Sequence, residues 1–136
     1  MELNFPLEFI VYGTPVSHQR QNPAARDEWK ALVANACKER LPEAHFSTDR
    51  PIGVTLFYFP DGEMAGDIDN IVKYILDALR GLIYQDDGQV ERVLVQKFER
   101  RRMARFTELS ETLASCVSGP KPALYVRITD DPHEGL

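Results

Sequence analysis

The run Gly66-Asp67-Ile68-Asp69-Asn70-Ile71-Val72-Lys73 decides how this chain is expected to fold, because a helical pattern begins in it. Asp67 is a good N-cap, so the pattern predicts a helix from Asp67 or Ile68 to Leu82. At about 100° per residue, one face of that helix is apolar and the opposite face is charged. The apolar face carries Ile68, Ile71, Val72, Ile75, Leu76 and Leu79, and the opposite arc carries Asp69, Asn70, Lys73, Asp77 and Arg80. One side of the helix is therefore expected to pack into a core, and the other to form a charged ridge.

Alternating apolar residues on both sides of this helix predict four strands. The strands are expected at Phe5 to Gly13, at Ile52 to Phe59, from Val90 toward Arg100, and at Ala123 to Thr129. A first helix is expected from Ala24 to Arg40, stopped by Pro42. The fold class that follows is α+β, a mixed β-sheet with two main helices packed against it, without a predicted strand order.

The length of 136 residues predicts a single domain, 1–136, with a longer connection at about 102–122. Phe106, Leu109 and Leu113 in that connection fit either a short helix or a long excursion between two hairpin strands.

Composition narrows the class of protein. The chain is 43% hydrophobic and 27% charged, which is ordinary for a globular protein. It has no apolar run near the roughly 20 residues that span a bilayer, and Met1 to Phe5 lacks the pattern of a signal peptide. Cys37 and Cys116 form no CxxC pair and are expected to be reduced apolar fillers. We therefore expect a cytoplasmic protein without a membrane partner.

Five aspartates crowd the second helix and the turn after it: Asp67, Asp69, Asp77, Asp86 and Asp87. Each has an ordinary explanation when taken alone, as an N-cap, a surface ion pair with Lys73, or a turn residue. Converging carboxylates repel one another, and a divalent cation that neutralises them accounts for the set as a whole. Oxygen ligands of this kind suit Mg²⁺ or Mn²⁺ rather than zinc.

The acidic pattern also has fixed spacings, Asp-x-Asp-Asn-x-x-Lys-x-x-x-Asp and then Tyr-x-Asp-Asp-x-Gln-Val with a lysine downstream. The positions are Asp67, Asp69, Asn70, Lys73, Asp77, Tyr84, Asp86, Asp87, Gln89, Val90 and Lys97. This pattern resembles the RusA family of Holliday junction resolvases. The segment Gly13-x-Pro15-x-Ser17-x-x-Arg20 is similar to the first-strand loop of that family.

The resemblance implies a RusA-like fold and a Mg²⁺-dependent homodimeric endonuclease that resolves four-way DNA junctions by paired symmetric nicks. It implies that Asp67, Asp69 and Asp87 are catalytic acids that hold the metal, with Mn²⁺ as a possible substitute, and that Lys73 is a catalytic lysine. The residues expected to support this site are Asn70, Asp77, Asp86 and Gln89.

Basic residues provide candidates for DNA contact. Arg20 lies in the first loop, and Lys97, Arg100, Arg101, Arg102 and Arg105 form the dense basic run of the chain. The net charge of −5 argues against indiscriminate nucleic-acid binding, and it leaves room for a localised basic patch. An acidic chain and a longer 102–122 connection are two departures from the family pattern.

Two other functions remain open at this stage. One is a metal-dependent phosphohydrolase that does not require junctions, and the other is a catalytically inactive family member that binds DNA. The sequence shows no Ser/His/Asp arrangement, because His18, His45 and His133 are scattered and expected at the surface. Tyr84 fits either a core or hinge position or a wedge at a junction centre.

Overall fold

A computed structural model describes residues 2–18, 22–99 and 106–136 of the chain. Its strands are β1 (Leu7–Tyr12), β2 (Ile52–Phe59), β3 (Val90–Lys97) and β4 (Ala123–Thr129). Its α-helices are α1 (Pro23–Lys38), α2 (Val72–Leu79) and α3 (Glu111–Ser118), and 3₁₀ turns lie at Ile68–Ile71 and Asp87–Gln89. The strands form one mixed sheet in the order β1-β4-β2-β3, in which β2 and β3 run parallel and the other pairs antiparallel. The α+β prediction is confirmed.

The main core lies between α1, α2 and one face of the sheet. Every second residue of three strands points into this core, as the alternating patterns predict. These residues are Leu7, Phe9 and Val11 of β1, Val54, Leu56 and Tyr58 of β2, and Leu124, Val126 and Ile128 of β4. Helix α1 contributes Trp29, Val33 and Cys37, spaced four residues apart on one helical stripe. Leu32 also fits the helical spacing of apolar residues, but it is 44% exposed because it lies at the margin of the packed face.

The second helix is shorter and less regular than its sequence predicts. It starts as the 3₁₀ turn Ile68–Ile71, and α2 ends at Leu79 instead of Leu82. Arg80 is extended, and Gly81 has a φ of +88°, so the chain leaves the helix in a tight turn closed by Gly81 N–H donating to the Tyr84 carbonyl. Asn70 is 6% exposed, so its predicted place on the charged arc is wrong.

The opposite face of the sheet is covered in part by α3, which lies inside the predicted 102–122 connection. Leu113 and Cys116 of α3 pack with Phe59, Ala123 and Tyr125 in a second cluster. Strands β3 and β4 are not neighbours, so the alternative of an excursion between hairpin strands is wrong. Residues 102–105 of the connection lie outside the described part of the chain.

Both cysteines are free and buried, in agreement with their predicted role as fillers. Burial raises the pKa of Cys37 to about 12 and that of Cys116 to about 11, so neither thiol is a reactive thiolate at neutral pH. Within the described ranges, no helix has the length and apolar character needed to cross a membrane.

Candidate active site

Helix α2 and the turn before β3 form the two walls of an open cleft of about 350 Å³. We call it the acidic cleft, and its lining residues are Asp69, Val72, Lys73, Leu76, Asp77, Asp87 and Val90. Asp69, Lys73 and Asp77 come from one side of the second helix, whereas Asp87 comes from a separate segment. Val72, Leu76 and Val90 supply the apolar part of the lining, and all three are partly buried.

Asp67 lies on a neighbouring cleft, between the start of the second helix and the loop after β1. We call this the loop-side cleft, and its lining residues are Thr14, Pro15, Val16, Ser17, Asn22, Ala25, Ala65, Gly66, Asp67, Asn70 and Ile71. Asp67 occupies the N-cap position of the 3₁₀ turn, but its side chain makes no capping hydrogen bond there. Its exposed carboxylate therefore does not stabilise the turn by capping it.

The turn that carries Asp87 is tied down by its two neighbours. The Asp86 carboxylate accepts from Gly88 N–H, and the Gln89 side chain completes a capping box. Gln89 Oε1 accepts from the backbone N–H groups of Gln85 and Asp86, and its Nε2 donates to the carbonyls of Thr48 and Arg50. Asp86 and Gln89 thus shape the turn, and Asp87 is left exposed at the cleft.

Two ion pairs involve residues of the acidic cleft. Lys73 Nζ lies 3.8 Å from an Asp77 carboxylate oxygen, one helical turn away, and Arg80 lies 3.5 Å from the Asp87 carboxylate. The four side chains are 63%, 29%, 54% and 69% exposed in the order Lys73, Asp77, Arg80 and Asp87, so water weakens both pairs. Both pairs can therefore open when a charged ligand enters.

Tyr84 belongs to the core. It is fully buried, and its hydroxyl donates to the Leu76 carbonyl at 2.9 Å. Burial, followed by the nearby charges of Asp87 and Asp77, raises its pKa to about 12, so the phenol stays neutral. A buried, bonded phenol is not available as a wedge at a DNA junction.

The donor set of the acidic cleft fits a hard divalent cation. Among residues 2–18, 22–99 and 106–136, no three acidic, histidine or cysteine side chains converge closely enough to hold a metal ion by themselves. Mg²⁺ does not require such a cage, because it is usually bound by one or two carboxylates and completed by waters and substrate phosphates. Asp69 and Asp87 offer exposed carboxylates to one open cleft, and this mode requires one or two such groups.

Lys97, a predicted DNA contact, ends β3 and is 41% exposed. Its amine lies 3.3 Å from the Glu99 carboxylate. The other predicted DNA contacts, Arg20, Arg100, Arg101 and Arg102, lie outside the described residues. All of these assignments stay predictions.

Two contacts at the site could not be predicted from the sequence. Arg80 was expected on the charged arc, but its pairing with Asp87 and its hydrogen bond to the Gln85 carbonyl depend on the turn at Gly81. His18 was expected as a scattered surface histidine. It is exposed, yet both its backbone N–H and its ring Nδ1 bond the Asn70 carbonyl.

Comparisons with known proteins show the family of the chain. Residues 13–107 match the family model described as Endodeoxyribonuclease RusA, and the matched part contains every acidic residue of the two clefts. The chain is also 27% identical to the uncharacterized protein YqaN of Bacillus subtilis (strain 168), in an alignment that covers 68% of this chain and 87% of YqaN. The match to the family model extends over more than half of the chain, and the chain belongs to the RusA family of endodeoxyribonucleases.

Proposed function

We propose that this protein is a Mg²⁺-dependent endonuclease that resolves four-way DNA junctions by paired, symmetric nicks. One observation carries the proposal: Asp69, Lys73 and Asp87, from two separate segments, line the same open cleft. Family membership supports a DNA-cleaving function, and the cleft supplies acids and an amine suited to a phosphodiester. Mn²⁺ is expected to support cleavage in place of Mg²⁺.

The residues of the cleft have separate tasks in this proposal. Asp69 and Asp87 would hold the cation, with Asp67 placed beside them on the loop-side cleft. A bound cation would supply Lewis-acid chemistry, activating water and neutralising charge on the phosphate. Lys73 binds a non-bridging phosphate oxygen as a compact positive charge and stabilises the charge that builds up during cleavage. The open mouth of the cleft allows a backbone phosphate to approach without unpairing a base.

A four-way junction has two-fold symmetry, so two coordinated cuts require two copies of the site. We therefore propose a homodimer with two-fold symmetry as the active form. A supercoiled plasmid that extrudes a cruciform tests this point, since paired cuts within one encounter give linear product and independent cuts give nicked circles. Nicked circles as the main product would contradict the dimeric mechanism.

The decisive experiment uses synthetic four-way junctions, duplexes and a small phosphodiester, with Mg²⁺ and with Mn²⁺. We expect Asp69→Asn to abolish junction cleavage, because the cleft loses a carboxylate, and to preserve junction binding. Asp27→Asn is the matched control, since it removes the same charge from an exposed site on α1 where Asp27 pairs with Arg26.

Three outcomes would contradict the proposal in different ways. Full cleavage by Asp69→Asn would remove the acidic cleft from the mechanism. Turnover of the small phosphodiester with no preference for branched DNA would indicate a general phosphohydrolase. Tight junction binding without cleavage in either metal would indicate a DNA-binding member that has lost catalysis.

A further inference from the structure

The loop after β1 is fastened to the beginning of the second helix at one residue, His18. The backbone N–H of His18 donates to the Asn70 carbonyl at 2.9 Å, and its ring Nδ1 lies 3.1 Å from the same oxygen. One turn further along, the Tyr74 hydroxyl donates to the His18 carbonyl at 3.4 Å. Three hydrogen bonds thus join one exposed loop residue to two positions of one helix.

The hydrogen-bond partner of the His18 ring determines which ring nitrogen carries a proton. A carbonyl oxygen only accepts hydrogen bonds, so Nδ1 of His18 must carry a proton for the bond to form. The acceptor, Asn70, is buried and follows Asp69 directly. Asn70 also belongs to a 3₁₀ turn, whose own hydrogen bonds have poorer geometry than those of an α-helix and depend more on outside support.

We propose that His18 is a positioning residue, which holds the Ile68–Ile71 turn so that Asp69 faces the acidic cleft and Asp67 the loop-side cleft. This inference rests on the proposed nuclease function of those clefts. The ring of His18 is exposed, so its bonds contribute little to global stability. These bonds act locally, on the turn that contains Asp69 and begins directly after Asp67.

The test compares variants that differ in the donor at Nδ1. His18→Asn places an amide N–H close to the position of Nδ1, whereas His18→Ala removes the donor and keeps the backbone bond. In single-turnover junction cleavage, we expect His18→Ala to lower the maximal rate by about tenfold to a hundredfold, as misplacement of a reacting group does. Junction affinity should stay within about twofold, since His18 is not a phosphate contact in this proposal. His18→Asn should recover most of the rate.

Amide hydrogen exchange in residues 66–74 provides a readout that does not require catalysis. His18→Ala should speed exchange there, His18→Asn should not, and Tyr74→Phe should have a smaller effect in the same direction. His133→Ala is the control, because it removes another exposed imidazole, one that lies beside Glu91. Equal rates for the alanine and asparagine variants, or unchanged exchange in His18→Ala, would overturn the inference. If the wild-type protein cleaves no DNA, the nuclease proposal fails, and the exchange data alone decide whether His18 holds the turn.

Discussion

Lys73 shows how a single side chain can serve both an ion pair and a reaction. Its amine lies 3.8 Å from Asp77, beyond good hydrogen-bonding distance, and 63% of the side chain is exposed. An exposed pair one helical turn apart contributes only about 0.2–0.5 kcal/mol to stability. Asp69 and Asp87 line the same cleft, so a phosphate bound to the cation that they would hold would lie near an amine whose ion pair with Asp77 is weak.

We therefore expect Lys73→Ala to lower the cleavage rate by about a hundredfold or more, as the loss of one charge-stabilising donor does in other enzymes. The free energy of unfolding should change by less than about 0.5 kcal/mol. Asp77→Asn breaks the same ion pair and keeps the lysine, so its cleavage rate should stay within a few-fold of wild type. Cleavage assays quenched at set times measure the rate, and urea denaturation measures the free energy of unfolding. Similar losses of activity in both variants would mean that cleavage depends on the Lys73–Asp77 ion pair rather than on the amine of Lys73 alone.

At the same scale, the assignment of Asp67, Asp69 and Asp87 as metal ligands stays a prediction, and the sequence did not indicate that Asp67 and Asp69 would line different clefts. Asp67 and Asp69 are two residues apart, and side chains at that spacing do not share a face of a helical turn. The structure accordingly places them on different clefts. The burial of Asn70, which follows Asp69, depends on the loop before α1, and no periodicity in the chain predicts that contact.

Among the elements, the turn between α2 and β3 has the clearest link between folding and function. Gln89 makes four hydrogen bonds through its side-chain amide, each between 2.8 and 3.1 Å. Two of them close the turn on itself, and two join it to the segment before β2. Among the residues that the structure describes, the side chain of Asp87 contacts Arg80 at 3.5 Å and has no anchor comparable to that of Gln89. The position of Asp87 therefore depends on Gln89.

Gln89→Ala should lower the free energy of unfolding by about 1–3 kcal/mol, because backbone groups lose their partners. It should also reduce cleavage even at temperatures where the variant is fully folded, since Asp87 loses its support. Asp86→Asn is the control, because asparagine caps a turn about as well as aspartate, and both quantities should change little. Normal activity in a destabilised Gln89→Ala protein would show that the turn serves folding alone.

Element types and inward faces could be predicted because they depend on local periodicity, as in Leu124, Val126 and Ile128 of β4. The order of the strands could not. Parallel pairing of β3 with β2, and the central place of β4 beside β2, depend on contacts between distant parts of the chain. Helix α3 was ambiguous for a similar reason, since Leu109 fits the apolar spacing but lies before the helix and is 53% exposed.

For the whole molecule, the central question is how a chain with a net charge of −5 binds a polyanion. Part of that negative charge sits in the two clefts, where a cation would offset it. Lys97 leads into the basic run that continues with Arg100, Arg101, Arg102 and Arg105. If this run contacts phosphates, binding should depend on a local patch, and the net charge should matter little at ionic strengths that screen distant charges.

The salt dependence of binding counts such contacts. Each phosphate neutralised by a protein cation adds about 0.9 to the slope of log affinity against log salt on duplex DNA. We expect Lys97→Ala and Arg101→Ala each to lower that slope by about 1 and to weaken binding to all branched DNA alike, because phosphate contacts carry no sequence information.

Lys38→Ala is the matched control, since Lys38 ends α1, roughly 20 Å along the helix from Ala25 of the loop-side cleft. All proteins in this comparison carry Asp69→Asn, which is expected to bind the junction without cleaving it. The titrations are done at constant Mg²⁺, which competes for the same phosphates, with fluorescence anisotropy of a labelled junction. A slope that is unchanged in both variants but reduced in Lys38→Ala would move the DNA-binding surface from the end of β3 to helix α1.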